Sequence, residues 1–199
     1  PTLAAIDGLC LGGGTELALA CRYRVASDFE RTFLGLPEVR LGILPGFGGS
    51  TRLPRLIGVP AALDLILTGK TVDGSRAFKL GLVDDVLPRE DFAQRAVRWL
   101  AVRLDAAAFE RVRTERRRRR AGPPAWALEG NPIGRAFVFS QARKSVLRET
   151  HGHYPAPLKV LEILPHTSRG PIPEALALEA RAVGELLVTP EHKNLLSIF

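Results

Sequence analysis

Leu11-Gly12-Gly13-Gly14-Thr15-Glu16-Leu17 lies between an apolar run, Leu3-Ala4-Ala5-Ile6, and a second one that continues to Cys21. Three consecutive glycines carry no side chains, so a ligand can rest directly on their amide groups. The first N–H groups of a helix that follows are unpaired donors at the positive end of the helix dipole. The stretch therefore predicts a junction from strand to helix that accepts an anion. Glu16 falls in the first turn of that helix, and an oxyanion forming on a carbonyl there would meet fixed donors. Taken alone, Glu16 also fits an ordinary first-turn carboxylate favoured by the dipole.

Outward from the glycines, apolar runs of strand length alternate with helical spacing. Residues 2–6 read as a buried strand and the glycines as a turn. Residues 15–22 read as a helix with Leu17, Ala18, Ala20 and Cys21 on its apolar positions. Residues 23–26 and 33–36 read as further strands. Pro37 ends the second, which places Glu38 on a loop. Gly46-Phe47-Gly48-Gly49 opens a helix interrupted by Pro54, and Pro60 starts another through Leu67. Thr71-Val72-Asp73 reads as the start of a helix stopped by Gly81, with a strand over 82–86 and an amphipathic helix over 88–104. This alternation predicts an α/β core over 1–104. Residues 105–130, rich in Arg, Pro and Gly, read as a connection, and 131–199 as an all-helical segment with Asn131-Pro132 and Thr189-Pro190 at helix starts.

Composition narrows the classes. With 199 residues and 46% hydrophobic content, the chain can bury a core of its own. The net charge of +7 comes largely from Arg111–Arg120, where no aromatic residues interleave to stack on bases. That cluster reads as a solvated, mobile face, with phosphate contact as the alternative, and no nucleic-acid partner is expected. No apolar run approaches the roughly 20 residues of a membrane span. Cys10 and Cys21 bracket the glycine helix and read as free core thiols in a reducing compartment, and a cytoplasmic setting follows. His151 and His153 lack further ligands nearby, so no metal site is expected. The chain holds no Met, starts Pro1-Thr2-Leu3 and ends on an apolar run, which reads as an internal piece of a longer protein.

Several blocks in fixed order carry a resemblance: the glycine run with Glu16, Gly35-Leu36-Pro37-Glu38, Leu41-Gly42-Ile43-Leu44-Pro45-Gly46-Phe47-Gly48-Gly49, Arg52-Leu53-Pro54-Arg55-Leu56 and Leu67-Thr68-Gly69-Lys70. Over 4–84 the sequence resembles the crotonase (enoyl-CoA hydratase/isomerase) superfamily. Pro45-Gly46-Phe47-Gly48-Gly49-Ser50 and Gly152-His153-Tyr154-Pro155-Ala156-Pro157 are most similar to the multifunctional branch, the alpha subunits of bacterial fatty acid oxidation complexes. There a crotonase domain is fused to a 3-hydroxyacyl-CoA dehydrogenase.

The resemblance implies a partial crotonase core of ClpP-like ββα superhelix type, followed by helices that lead toward a dehydrogenase domain absent from this chain. It implies hydration of 2-enoyl-CoA thioesters, or a shift of their double bond, with Glu16 and Glu38 as the acid and base. It places the Gly13 amide at the thioester oxygen, with Gly12, Gly14, Pro37 and Gly46 lining the substrate. A second oxyanion amide and much of the coenzyme A surface would come from residues preceding this chain. No cofactor is implied for hydration, coenzyme A being part of the substrate, and NAD only for the dehydrogenase domain. A homo-oligomer and a thiolase subunit are the implied partners. Lys70 and Arg52 read as exposed, or as contacts for coenzyme A phosphates, and the 46–49 glycines as helix packing or pocket lining. Two alternatives stay open: a stand-alone crotonase with other acyl-CoA chemistry, and a catalytically inactive packing or assembly fragment.

Overall fold

The first apolar run forms two strands, β1 (Leu3–Ile6) and β2 (Leu9–Leu11), on either side of Asp7-Gly8 in a computed structural model that describes residues 1–120 and 131–198. Gly8, at φ +107°, turns the chain out of one sheet and into another. The turn is fastened from outside: Gly8 N–H donates to Thr32 Oγ1 at 3.0 Å, and Ser27 Oγ donates to Asp7 Oδ1 at 2.6 Å. The break makes β2, just before the glycines, a strand of its own that the sequence reading did not assign.

Helix α1 (Gly13–Ala20) starts inside the glycine run, two residues before the expected start. After it come β3 (Tyr23–Ser27), β4 (Phe33–Gly35) and a 3-10 helix, Glu38–Leu41. Helices α2 (Gly49–Ile57) and α3 (Val59–Thr68) lead to β5 (Thr71–Asp73), α4 (Gly74–Leu80) and β6 (Asp85–Leu87). One sheet runs β1-β3-β6, all parallel; the other runs β2-β4-β5, with β5 antiparallel to β4. Thr71-Val72-Asp73 is thus a strand as well as a helix start, and Asp73 Oδ1 caps α4 by accepting from Arg76 N–H at 2.6 Å.

Helix α2 continues through Pro54 instead of breaking there. Proline removes the N–H that would reach the carbonyl four residues back, which is that of Ser50. The Thr167 hydroxyl donates to the Ser50 carbonyl at 3.1 Å in its place. Leu17, expected on an apolar face, is 72% exposed, because α1 turns Thr15, Glu16, Ala18 and Leu19 inward.

Helix α5 (Phe92–Ala101) packs Phe92, Ala96 and Trp99 on Tyr23 and Val25 of β3, a smaller apolar cluster beside the main core. Helix α6 (Ala106–Arg120) occupies the first part of the expected connection, and Gly122-Pro123-Pro124 and Gly130 lie outside the described residues. The arginine cluster is not wholly a solvated face. Arg116 is buried and grips both carboxylate oxygens of Asp84, whose Oδ2 also accepts from Arg24 N–H at 2.9 Å. Arg119 stacks over the Phe78 ring, 4.0 Å from its centroid. A partner several elements away overrode the charge run here.

Four helices follow: α7 (Pro132–Thr150), α8 (Pro155–Thr167), α9 (Ile172–Leu187) and α10 (Pro190–Ile198). Asn131 caps α7 as expected, its side chain accepting from Gly134 N–H at 2.7 Å. One apolar core runs from Ile6, Leu34 and Leu44 of the α/β part to Val160, Leu164, Ala182 and Leu186 of these helices. The helical segment is packed into the same core as the sheets. Among the described residues no helix is long and apolar enough to cross a membrane.

Candidate active site

Gly12 takes φ +53° immediately before α1, a conformation that a side chain would strain. Its N–H donates to the Gly35 carbonyl at 3.0 Å, and Thr15 Oγ1 donates to that same carbonyl at 2.9 Å. The start of α1 is thereby pinned to the end of β4. Gly13 and Gly14, the first two residues of the helix, are exposed, so the amides that open it face outward from the core.

Glu16, one turn further, points inward and is 2% exposed. Its Oε1 accepts two backbone N–H groups, from Phe47 and Gly49, each at 2.8 Å. Both amides come from the turn that opens α2, and a Cβ on Gly49 would stand 2.8 Å from Glu16 Oε1. That position needs glycine for space. Burial raises the Glu16 carboxyl above its ordinary value, while the two amides and the Arg52 guanidinium oppose the rise.

Glu38 is differently placed. It is the first residue of the 3-10 helix directly after Pro37, and not part of an irregular loop. Both of its carboxylate oxygens are buried without a hydrogen-bond partner. A Cβ on Gly12 would lie 3.1 Å from Glu38 Oε1, so this carboxyl stands against the glycine run. Burial, reinforced by the charges of Glu16 and Glu179, pushes it up to about 7 against the pull of its own backbone N–H. Two neighbouring carboxyls thus stand against glycine turns in unlike settings: Glu16 in a cradle of fixed donors at Phe47 and Gly49, Glu38 against Gly12 with its side-chain oxygens unpartnered.

A third carboxyl joins them from the helical segment. Glu179 of α9 is fully buried, accepts from Gly48 N–H, and accepts from Thr51 Oγ1 at 2.9 Å. Burial, with the charge of Glu16 adding to it, pushes this carboxyl to about 7 in spite of those two donors.

The enoyl-CoA hydratase/isomerase family profile matches residues 1–117, which hold Glu16, Glu38 and the whole glycine turn. The chain belongs to the enoyl-CoA hydratase/isomerase family. Its sequence is 47% identical over 201 residues to the fatty acid oxidation complex subunit alpha of Shewanella amazonensis, and 46% identical over 200 residues to that of Vibrio vulnificus. Each match covers 100% of this chain and 27% of the relative, so the chain spans about a quarter of the length of these relatives. In structure it is similar to an enoyl-CoA hydratase from Mycobacterium avium subsp. paratuberculosis, with a TM-score of 0.60 at 21% identity, covering 99% of this chain and 62% of that one. An enoyl-CoA hydratase/isomerase from Pseudoalteromonas atlantica gives a TM-score of 0.59 at 19% identity, with 100% and 61% covered. These structural likenesses establish the fold, a crotonase-type α/β core.

Within this hydratase/isomerase-family chain the residues singled out from sequence separate into two groups. Gly12, Glu16 and Glu38 are brought together, with Gly13 and Gly14 at the exposed helix start beside them. Pro37 sits one residue before Glu38, and its Cα would be 3.2 Å from a Cβ on Gly69. Gly46 faces the helical segment: a Cβ there would lie 2.4 Å from Val183 Cγ2. Arg52 donates to the Phe47 carbonyl at 3.0 Å across the same turn, and Lys70 pairs with Asp64 at 2.5 Å. Both cysteines are free and half-buried, and among the described residues no group of three or more His, Cys, Asp or Glu is arranged for a metal.

Sequence reasoning missed Glu179. The signal was present: Ala175, Glu179, Ala182 and Leu186 are buried on one stripe of α9, at spacings of four, three and four, and a glutamate in such a stripe needs a partner.

Proposed function

We propose that this chain carries the hydration site for 2-enoyl-CoA thioesters of fatty acid β-oxidation, with Glu16 as base and Glu38 as acid. The unlike settings of the two carboxyls are the observation that carries this reading. Glu16, whose Oε1 is oriented by the Phe47 and Gly49 amides, takes a proton from water. The water oxygen bonds to the β-carbon, and the double-bond electrons move toward the thioester, leaving negative charge on its oxygen. The Gly13 amide at the start of α1 donates to that oxygen, a contribution of about 3 kcal/mol for one well-placed donor. Glu38, with its carboxyl raised to about 7, is substantially protonated at neutral pH and delivers its proton to the α-carbon. The product is a 3-hydroxyacyl thioester.

The reaction consumes only substrate and water; coenzyme A enters as part of the substrate, and NAD would serve a separate dehydrogenase step. One of these carboxyls moving a proton between two carbons would shift the double bond, so isomerisation belongs to the same proposal. The relatives are named as alpha subunits of a complex, and we extend that assembly to this chain, with further copies of itself and a thiolase subunit as partners in a cytoplasmic setting.

The test is the loss of enoyl-thioester absorbance when a short 2-enoyl-CoA is added to the natural polypeptide containing these residues. Hydration is expected, and Glu16→Gln should lower turnover by about 100- to 10,000-fold. Turnover unchanged in Glu16→Gln would end the acid/base assignment.

A further inference from the structure

The turn that feeds amides to Glu16 is held from the far end of the chain. Its Phe47 and Gly49 N–H groups serve Glu16, while the N–H between them, that of Gly48, serves Glu179 of α9. Alternate amides of one tight turn thus serve two different carboxylates. Glu179 Oε2 also accepts from Thr51 Oγ1 at 2.9 Å, in the first turn of α2. The same helix is fastened to α8 by Thr167 Oγ1 on the Ser50 carbonyl at 3.1 Å, and by Arg55, whose guanidinium donates to the Thr167 carbonyl at 2.8 Å. Gly46, at the turn's entrance, leaves room for Val183, one turn beyond Glu179.

We propose that Glu179 is a positioning residue of the hydration site: by clamping the Gly48 amide and the Thr51 hydroxyl it fixes the turn whose neighbouring amides orient Glu16, making the helical segment part of the catalytic geometry. The proposal rests on the hydratase reading above. A purely structural acid at a helix interface would need neither this alternation nor proximity to the reacting pair. Removing the two donors at Glu16 would leave its carboxylate free to rotate, and misplacement of a reacting group by about 1 Å can cost on the order of 100-fold. Glu179 also sets charge beside the pair: Glu16 raises Glu179, and both raise Glu38. The Arg52 guanidinium also faces this turn, donating to the Phe47 carbonyl at 3.0 Å and lowering Glu16.

The experiment compares Glu179→Gln, Thr51→Val and Thr51→Ser in the natural polypeptide, reading kcat, KM and the pH profile of kcat for a short 2-enoyl-CoA, with thermal melts to normalise for folded protein. Glu179→Gln should lower kcat by about 10- to 100-fold with KM within about threefold, and should move the carboxyl-controlled limb of the profile to lower pH because a negative neighbour is gone. Thr51→Val should lose roughly three- to tenfold, and Thr51→Ser, which keeps the hydroxyl, should stay near wild type. If Glu179→Gln fails to fold, the contrast between the two Thr51 variants decides. Wild-type kcat and an unmoved limb in Glu179→Gln, or equal turnover in both Thr51 variants, would overturn the positioning role while leaving the hydratase reading intact. Absent hydration in the wild type, or full turnover in Glu16→Gln, would instead remove the hydratase reading and this proposal with it.

Discussion

Glu16 and Glu38 occupy neighbouring regions built from the same materials, a strand end and a glycine turn, yet their environments are opposite. The Glu16 region is over-determined: two amides on one oxygen, a glycine wall at Gly49 and a turn clamped by α9. The Glu38 region supplies burial and no donor beyond the residue's own backbone N–H. Burial raises a carboxyl in both settings; at Glu16 fixed donors oppose the rise, and at Glu38 neighbouring carboxylates add to it. A site that needs both an acid and a base at one pH can obtain them from identical side chains in this way.

The contrast breaks most sharply on Glu38→Gln. We expect turnover to fall by about 100- to 10,000-fold in the enoyl-thioester absorbance assay, with the folded state retained, because an amide of the same shape replaces a carboxyl that makes no protein hydrogen bond. Turnover near wild type would mean that the unpartnered carboxyl is not the acid.

Next in size is Gly49→Ala. A Cβ there meets Glu16 Oε1 at 2.8 Å and Pro45 Cβ at 2.7 Å, so the cradle must open. A loss of about 10- to 100-fold in kcat is expected, since displacement acts on the same scale as misorientation. Equal activity would show that Glu16 needs no fixed donors.

Stability should carry the sign of the Glu38 environment. Its folded carboxyl titrates at about 7 against an ordinary 4.5, so between those values the folded chain keeps a proton that the unfolded chain has released. The Glu38 contribution to stability therefore falls as pH rises through that window and stays low above it. Urea unfolding at about pH 5 and about pH 8 should show wild type losing roughly 1–2 kcal/mol more than Glu38→Gln across the interval. Parallel losses would show that the orphaned carboxyl is ionised at no cost.

The smallest expected effect tests the brace behind the Glu16 region. Thr167→Val leaves the Ser50 carbonyl, freed by Pro54, without its hydroxyl donor, and should lower stability by about 1–2 kcal/mol in thermal melts. No change would mean that water replaces the hydroxyl at no cost.

Much of this was legible in the chain itself because the signals are local. The glycine run announces a helix start without side chains, Asp73 and Gly81 bound α4, and Asn131-Pro132 opens α7. The pairing of Glu16 with Glu38 came through the resemblance, since nothing in their spacing dictates proximity. What escaped depends on partners distant in sequence. Pro54 reads as a break until Thr167 supplies the missing donor, and Arg116 reads as solvated until Asp84 is found beneath it. Leu17 reads as core until Glu16 takes the inward position.

By itself the sequence determined the α/β alternation, several helix caps and the residue types able to run acid/base chemistry on a thioester, because propensity, capping and periodicity act within a few residues. Only the tertiary structure decided which carboxyl meets fixed donors, that α9 reaches back to hold the turn beneath Glu16, and that the arginine run is partly internal. Hydrogen-bond satisfaction and desolvation are properties of assembled surroundings, and they act through space between residues that the chain order keeps far apart.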